Sequence, residues 1–205
     1  MTVERRKRMT ASARRDVIER AAIELFAARG YRGASVDEIA SRSGITVPVL
    51  YDHFASKRDL YVHLIDRHYA ELRALWFRYA ASNEPMGAWI AEAVDHWFAY
   101  VESNPFAGRM LFRDTTGDPD IAAMHRGVQL ASRSRLLPLV HAEVAVRDGG
   151  FGDEHGAELM WEALRSVMQA LALWWYDHLD VPRERIVRAT LDAIWVGLER
   201  SLEGG

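Results

Sequence analysis

Side chains suited to binding DNA cluster in a short stretch of the chain, between residues 46 and 57. Lys57 follows Ser56, a residue type that begins helices, so its ammonium falls in a first helical turn beside free backbone N–H groups that attract phosphate. The outer face of the short helix before it carries Thr46, Val47, Pro48, Tyr51 and His53. A helix presented in this way can place its N-terminal residues in a major groove. These residues indicate recognition of nucleic acid.

A helix-turn-helix would position these side chains, and local signals predict one. Ser35 and Glu38 have the spacing of a capping box, which satisfies free backbone donors at a helix start. Gly44 can take the left-handed backbone that ends this helix. Thr46 can cap the next helix, and Pro48 is tolerated in its first turn. Each signal also occurs in ordinary helical hairpins, but their combination favours the helix-turn-helix.

The segment from Gly44 to Lys57, GITVPVLYDHFASK, resembles the recognition-helix signature of the TetR family of bacterial transcriptional regulators. The similarity covers roughly residues 12 to 62, and beyond them only length, helical content and helix order match. It implies an all-α fold of about nine helices, with a three-helix DNA-binding domain and a larger C-terminal helical domain for effector binding and dimerisation. We expect these domains at residues 1–56, with a basic arm at 1–10, and at 57–205.

The resemblance assigns roles in DNA binding to individual residues. Tyr51 and Lys57 match family positions that contact phosphates, while Ser35 and Thr46 match positions where a helix N-terminus meets the DNA backbone. Val47 departs from the family, which often has a polar base-reading side chain at this position. We therefore expect apolar contacts with thymine methyl groups, rather than hydrogen bonds from that side chain to a base edge.

Charge is unevenly distributed along the chain, although its formal net charge is only −3. Residues 1–60 carry 12 basic and 8 acidic side chains, whereas residues 61–205 carry 14 and 21. The basic end is therefore the end with the helix-turn-helix, as affinity for phosphates requires. Asp52 would repel DNA unless it faces Arg42, Arg58 or a cytosine amino group, and of these we expect a structural salt bridge.

Aromatic residues in the second domain predict an apolar ligand pocket, since all seven tryptophans lie beyond residue 75. Any one tryptophan could instead belong to the core or the dimer interface. Six apolar side chains fall on helices that the resemblance assigns to the ligand: Trp76, Trp89, Trp97, Phe106, Met110 and Met124. We expect a mainly apolar or aromatic effector, oriented by a few polar groups chosen from His96, Arg109, His125, Gln129 and Arg133.

The last two helices resemble the dimerisation pair of the family, which forms a four-helix bundle with its symmetry mate. We expect the seam to include Leu164, Met168, Leu171, Trp175, Ala193 and Gly197. A homodimer is expected because two recognition helices must reach successive major grooves about 34 to 36 Å apart.

Signs of catalysis, cofactor binding or membrane association are lacking. The chain has no cysteine, no Glu with a His three residues later, and no H-E-x-x-H, G-x-S-x-G or Walker-type motif. We expect no catalytic residue, metal or cofactor. Without an apolar run of about 18 residues, a cytoplasmic protein is expected. The leading hypothesis is an effector-released repressor that binds double-stranded operator DNA, and the alternative is a helical carrier or adaptor without specific DNA binding.

Overall fold

The computed structural model describes residues 9–80, 86–113, 119–146 and 155–196. Within these ranges the protein is entirely helical, with nine α-helices and one short π-helix, so the expected fold class is confirmed. The helices are α1 (Ala11–Gly33), α2 (Val36–Arg42), α3 (Val47–Tyr51), α4 (Lys57–Ala80), α5 (Met86–Ser103), α6 (Pro105–Phe112), α7 (Pro119–Val146), α8 (Gly156–Tyr176) and α9 (Arg183–Leu191), followed by the π-helix (Asp192–Val196).

The chain divides into two compact units, Met1–Ile65 and Asp66–Gly205. Helix α4 contributes residues to both, because the division falls inside it rather than at its start. The boundary expected between residues 56 and 57 separates a DNA-binding domain from an effector-binding and dimerisation domain, and this division of function stays a prediction.

The first unit is built around the apolar faces of its short helices. Ile18, Leu25 and Phe26 from α1 are fully buried, as are Ile39 of α2 and Leu50 of α3. With Ala21 and Ala22, which are also buried, the α1 residues recur at three- and four-residue spacing, so this helix presents one continuous apolar stripe. The stripe covers the helix-turn-helix and thereby fixes the orientation of α3.

Gly30 interrupts α1 near its end. Its φ of 71° lies in the left-handed region, which costs little without a Cβ atom. Regular helical geometry therefore ends at Arg29, and the residues beyond Gly30 form a short further helical segment to Gly33.

The second unit packs α5 against α9 and α8 against α6 and α7. Its core includes Val94 and Phe98 from α5, Leu111 from α6 and Ile186 from α9. Arg183 at the start of α9 bonds two carboxylates of α5, Asp95 at 2.9 Å and Glu102 at 2.6 Å. Helix α9 ends at Leu191 and gives way to the π-helix.

Candidate functional sites

The turn between α2 and α3 is short because the backbone closes on itself. Gly44 adopts a φ of 67°, in the left-handed region predicted for it. The N–H of Ile45 then donates to the carbonyl of Ala40 at 3.0 Å, and the Ser43 hydroxyl donates to the carbonyl of Ile39 at 2.7 Å. These bonds satisfy the carbonyls at the end of α2 and place the start of α3 a few residues later.

The two predicted helix caps behave differently. The Ser35 hydroxyl accepts a hydrogen bond from the N–H of Glu38 at 3.1 Å, as a capping residue should. The Glu38 carboxylate does not complete a capping box, because it pairs with Arg29 and Arg42. Thr46 occupies the N-cap position of α3, but its side chain makes no capping hydrogen bond. Its hydroxyl does not perform the capping role expected of it.

The residues around α3 divide into an outer and an inner face. Leu50 and Phe54 are 0% and 2% exposed, so they anchor the helix to the core. The predicted DNA-contacting residues are accessible to different degrees, with Val47 and His53 half-buried and Thr46, Pro48 and Tyr51 exposed. Tyr51 stands out, because 48% of this large aromatic residue is exposed to solvent.

Lys57 is held by two contacts inside the first unit. Its ammonium donates to the carbonyl of Ala34 at 2.9 Å and lies 4.5 Å from the centroid of the Tyr31 ring. Ser56 caps α4 just before it, accepting from the N–H of Asp59 at 3.0 Å. The positive charge is therefore fixed beside the N-terminus of α2 rather than left on a mobile side chain.

The expected salt bridge of Asp52 is wrong. Arg42 pairs with Glu38 at 3.1 Å, four residues earlier on the same helix. No ion pair to Asp52 occurs among the residues that the structure describes, and its carboxylate is exposed. The local helical pairing was favoured because residues four apart on a helix are neighbours without any tertiary arrangement.

A buried carboxylate that sequence reasoning missed holds the first unit together. Glu19 is 6% exposed, and its Oε1 lies 3.1 Å from Nε of Arg15 and 2.9 Å from Nε2 of His63. The Arg15 guanidinium also lies 4.3 Å from the Phe54 ring centroid and donates to the carbonyl of His53 at 3.4 Å. This cluster ties α1 to the end of the helix-turn-helix and to α4. Only the Arg15 to Glu19 spacing was visible in the sequence.

The second unit contains a cavity of about 600 Å³, counting its opening to solvent. Helices α4 to α8 all contribute to its wall, which is mainly aromatic and aliphatic. The apolar and aromatic lining consists of Tyr69, Leu72, Trp76, Trp97, Phe112, Leu136, Trp161, Leu164 and Met168. The polar lining consists of Arg73, Gln129, Ser132, Arg165 and Gln169. A cavity of this size and composition is typical of a small-molecule site.

Two of the six residues predicted for the ligand pocket, Trp76 and Trp97, line this cavity. Trp89, Phe106, Met110 and Met124 do not. Trp89 stacks on Tyr79 with ring centroids 5.7 Å apart, and Phe106 is 38% exposed. Met110 is 2% exposed within the core. The prediction selected large apolar residues on α4 to α7 without knowing which side of each helix turns inward, and it omitted α8.

Polar groups gather beside Tyr69, whose hydroxyl donates to the carbonyl of Leu111 at 3.3 Å. Burial raises the pKa of Tyr69, while a hydrogen bond with Gln129 and the nearby charge of Arg165 act in the opposite direction. His125 lies behind it, with ring centroids 6.4 Å apart. Burial lowers the pKa of His125 to about 4, so this imidazole is neutral at physiological pH.

The residues predicted for the dimer seam do not form one surface. Leu164 and Met168 line the cavity and are buried. Trp175 is 3% exposed and donates from Nε1 to the carbonyl of Val181 at 2.7 Å. Leu171 is half-buried and Ala193 is exposed, while Gly197 lies outside the described residues, as does most of the basic arm. The correction is that Leu164, Met168 and Trp175 belong to the interior of their own unit.

The opposite side of α8 is exposed and largely apolar. Its residues recur at three- and four-residue spacing and therefore share one face: Leu159, Ala163, Ser166, Ala170 and Trp174. Leu159 is 59% exposed and Trp174 is 45% exposed. Helix α8 thus has two apolar faces, and the more strongly apolar one faces the interior. Leu164, Met168 and Trp175 were assigned to the dimer seam because they lie on that inner face.

Comparisons with known proteins agree with this architecture. The sequence profile of bacterial regulatory proteins of the tetR family matches residues 18–64. The HTH-type transcriptional activator FasR of Mycolicibacterium smegmatis is 29% identical over 196 residues, covering 95% of this chain and 87% of that protein. A TetR-like transcriptional regulator from Rhodococcus sp. RHA1 has a similar fold, with a TM-score of 0.76, 21% identity and coverage of 94% of this chain and 99% of that chain.

A third similar protein is the ketosteroid transcriptional regulator KstR2 of Mycobacterium tuberculosis, with a TM-score of 0.73 and 17% identity. The alignment covers 92% of this chain and 96% of that chain. The fold and the helix-turn-helix thus define a DNA-binding transcriptional regulator. Residues 18–64 thus match the TetR family of bacterial regulatory proteins, and over most of its length the chain is similar to transcriptional regulators.

The residues that the structure describes include no helix long and apolar enough to cross a membrane. The same ranges contain no group of three or more His, Asp or Glu side chains placed to hold a metal ion.

Proposed function

We propose that this regulator binds operator DNA as a homodimer and that a small, mainly apolar effector in the cavity controls this binding. The observation that carries the proposal is the aromatic cavity, whose wall includes Tyr69, Trp76 and Trp97. Helix α4 supplies Tyr69 and Trp76 to this wall and Lys57 to the first unit. A ligand that prefers one position of α4 can therefore alter the DNA-binding unit through a continuous helix.

In this proposal the residues around α3 divide the work of DNA recognition. Tyr51 and Lys57 contact phosphates, with Ser35 and Thr46 also meeting the DNA backbone. His53, half-buried beside them, can donate to a further phosphate. Such contacts set the register of the protein on the duplex but carry no sequence information directly. Val47 and Pro48 have no side-chain donor, so they read thymine methyl groups or the shape of the groove.

Fluorescence anisotropy with DNA from upstream of the chain's own gene and with random DNA, at two salt concentrations, tests this surface. Tyr51→Phe should weaken binding to both DNAs alike, because a phosphate contact is independent of sequence. Tyr176→Phe, in the second unit, serves as the matched control. Unchanged affinity of Tyr51→Phe for both DNAs would refute the role of its hydroxyl. Weak, sequence-independent binding by the unmodified protein would favour the carrier reading.

We further propose that the exposed face of α8, with Leu159, Ala163, Ala170 and Trp174, contacts a second copy of the chain. Small residues between two large apolar ones allow close approach of a symmetry-related helix. The area would also cover a tryptophan that is otherwise 45% exposed. Ala193 follows α9 and is exposed, so it can extend this surface.

Sedimentation velocity tests the dimer. Ala170→Glu places a charge in the proposed interface and should shift the protein from dimer to monomer, with a loss of operator affinity. Ala91→Glu introduces the same charge at an exposed position of α5 and should leave the dimer intact. If both variants remain dimeric, the interface lies elsewhere.

The sign of regulation has two candidates. Repression relieved by effector is the first, because an effector that favours a conformation unsuited to the operator lowers occupancy. Coupling of roughly 1 to 3 kcal/mol would change affinity about 5- to 150-fold, and it must act equally in both directions. The name of the FasR relative specifically favours activation as the second candidate. In vitro transcription from the operator-bearing promoter, with and without the protein, distinguishes them.

A further inference from the structure

The cavity wall carries an imbalance of charge. Arg73 of α4 and Arg165 of α8 both line it, and none of its lining residues is acidic. Arg73 is half-buried and makes no ion pair among the described residues. A guanidinium partly removed from water without a carboxylate partner loses solvation that an anionic ligand could restore.

Arg165 is fixed in place by its neighbours. Its Nε donates to the Glu162 carboxylate at 3.1 Å, and its Nη1 donates to Oε1 of Gln169 at 2.9 Å. Its charge acts on the Tyr69 hydroxyl, and Tyr69 precedes Arg73 by one turn of α4. Cationic and hydrogen-bonding groups from α4 and α8 therefore gather in one part of the cavity, while indole and phenyl rings form the remaining wall.

A second hollow adjoins the first and continues the excess of positive charge. It measures about 450 Å³ including solvent, and Gln129, Trp161 and Arg165 border both hollows. Arg126 and Arg133 add two further guanidinium groups, and Glu162 supplies the one carboxylate in its lining. Arg133 is already paired with Glu158, whereas Arg126 is exposed and makes no ion pair in the described ranges.

The geometry points to an amphipathic acid as the effector, with its apolar body among Trp76, Trp97 and Trp161 and its carboxylate or phosphate bound by Arg73 and Arg165. This inference rests on the proposed function and names the class of ligand for the same cavity. Arginine suits the role because its planar guanidinium can meet a carboxylate or phosphate through two parallel hydrogen bonds. A neutral molecule of the same shape would leave the Arg73 guanidinium without an anionic partner.

Titration of the full chain with dodecanoate, dodecanol and dodecyl phosphate, each below its micelle-forming concentration, tests the inference. Intrinsic tryptophan fluorescence reports binding, because three tryptophans line the cavity. Either acid should bind at least about tenfold more tightly than the alcohol, as expected for a charge-assisted hydrogen bond. Preference for dodecyl phosphate over dodecanoate would identify phosphate as the head group, and the reverse order a carboxylate. Equal affinity for alcohol and acids, or no binding of any probe, would overturn the inference.

Variants locate the head group. Arg73→Gln should reduce the affinity for the acids to that for dodecanol and leave dodecanol binding unchanged, and Arg165→Gln should act in the same direction. Arg78→Gln, an exposed position on the same helix as Arg73, is the matched control. A parallel loss of acid and alcohol binding in folded Arg73→Gln would contradict a head-group role. Release of the operator is measured separately. If the acids bind without releasing the operator, the ligand class stands and effector control is refuted. If dodecanol binds as tightly as the acids and releases the operator, effector control stands and the ligand class is refuted.

Discussion

The two units differ in how their proposed functional residues are distributed along the chain. The proposed DNA-binding residues of the first unit lie between Ser35 and Lys57, at the start of α2, on and beside α3, and at the first residue of α4. The cavity of the second unit draws its lining from residues 69 to 169, on five helices. The first site is positioned by local caps and a tight turn, whereas the second exists only after distant helices have packed.

The units also differ in how completely they are filled. Near α3, Phe26, Leu50 and Phe54 are almost entirely buried, and the Arg15 guanidinium covers the Phe54 ring. In the second unit, aromatic side chains such as Trp76 and Phe112 border open space. A filled unit can hold a recognition helix in one orientation, while a cavity provides the volume that a ligand occupies.

The largest expected effect tests this difference in packing. Phe54→Ala should destabilise the first unit by about 3 to 5 kcal/mol, since it removes a buried ring and its contacts. Phe112→Ala should cost far less in the second unit, because the Phe112 ring already borders empty volume. Hydrogen exchange monitored by mass spectrometry gives the stability of each unit separately. If both variants lose the same free energy of unfolding, the proposed difference in packing between the two units is wrong.

The sequence alone was sufficient for the helix-turn-helix because its signals are local. A capping serine at Ser35, a glycine at Gly44 and the inward positions of Leu50 and Phe54 each follow from neighbours within a few residues. Prediction failed for Asp52, because its expected partner Arg42 lies on another helix and pairs instead with Glu38, four residues earlier on α2.

The sequence predicted that the second unit has an aromatic ligand cavity, but it did not predict most of the residues that line it. Trp76 and Trp97 were identified because aromatic residues suit apolar pockets, yet Arg73 and Arg165 carry no sequence signal that sets them apart from other arginines. The assignment of Leu164 to a dimer seam failed because α8 has two apolar faces, and periodicity alone cannot say which one meets the core. Tertiary packing decides that choice.

The second-largest expected effect is a loss of stability at low pH, and it is confined to the second unit. His125 has a pKa lowered to about 4 by burial, so the unfolded chain, with an ordinary histidine pKa of 6.5, binds a proton more readily. The neutral His125 imidazole therefore contributes to the stability of the folded second unit. This contribution is complete above about pH 6.5 and is lost as the pH falls from there toward 4. Between pH 7 and pH 5 the second unit should lose roughly 2 kcal/mol from this group.

Chemical denaturation followed by tryptophan fluorescence measures this loss, because every tryptophan lies in the second unit. His125→Gln should flatten the pH dependence, whereas His155→Gln, at an exposed position, should leave it unchanged. An unaltered slope in His125→Gln would show that other groups are responsible.

The third effect separates two roles of Lys57 in the first unit. Lys57→Met should cost about 1 to 2 kcal/mol of stability, since it removes the hydrogen bond to Ala34 and the contact of the ammonium with the Tyr31 ring. If the residue also binds phosphate, DNA affinity should fall and its dependence on salt should become weaker. Loss of stability with an unchanged salt dependence would assign Lys57 to the fold alone.

The smallest expected effect compares two neighbouring helix starts. Ser35→Ala should destabilise the first unit by about 1 kcal/mol, because the N–H of Glu38 loses the hydroxyl that accepts its hydrogen bond. Thr46→Ala should change stability by much less, because the Thr46 side chain makes no capping hydrogen bond in the structure. Its proposed role is on the DNA, so affinity for DNA should fall while stability holds. Hydrogen exchange of α2 and α3 together with DNA anisotropy checks both variants, and a stability loss in Thr46→Ala equal to that in Ser35→Ala would place its hydroxyl in the fold after all.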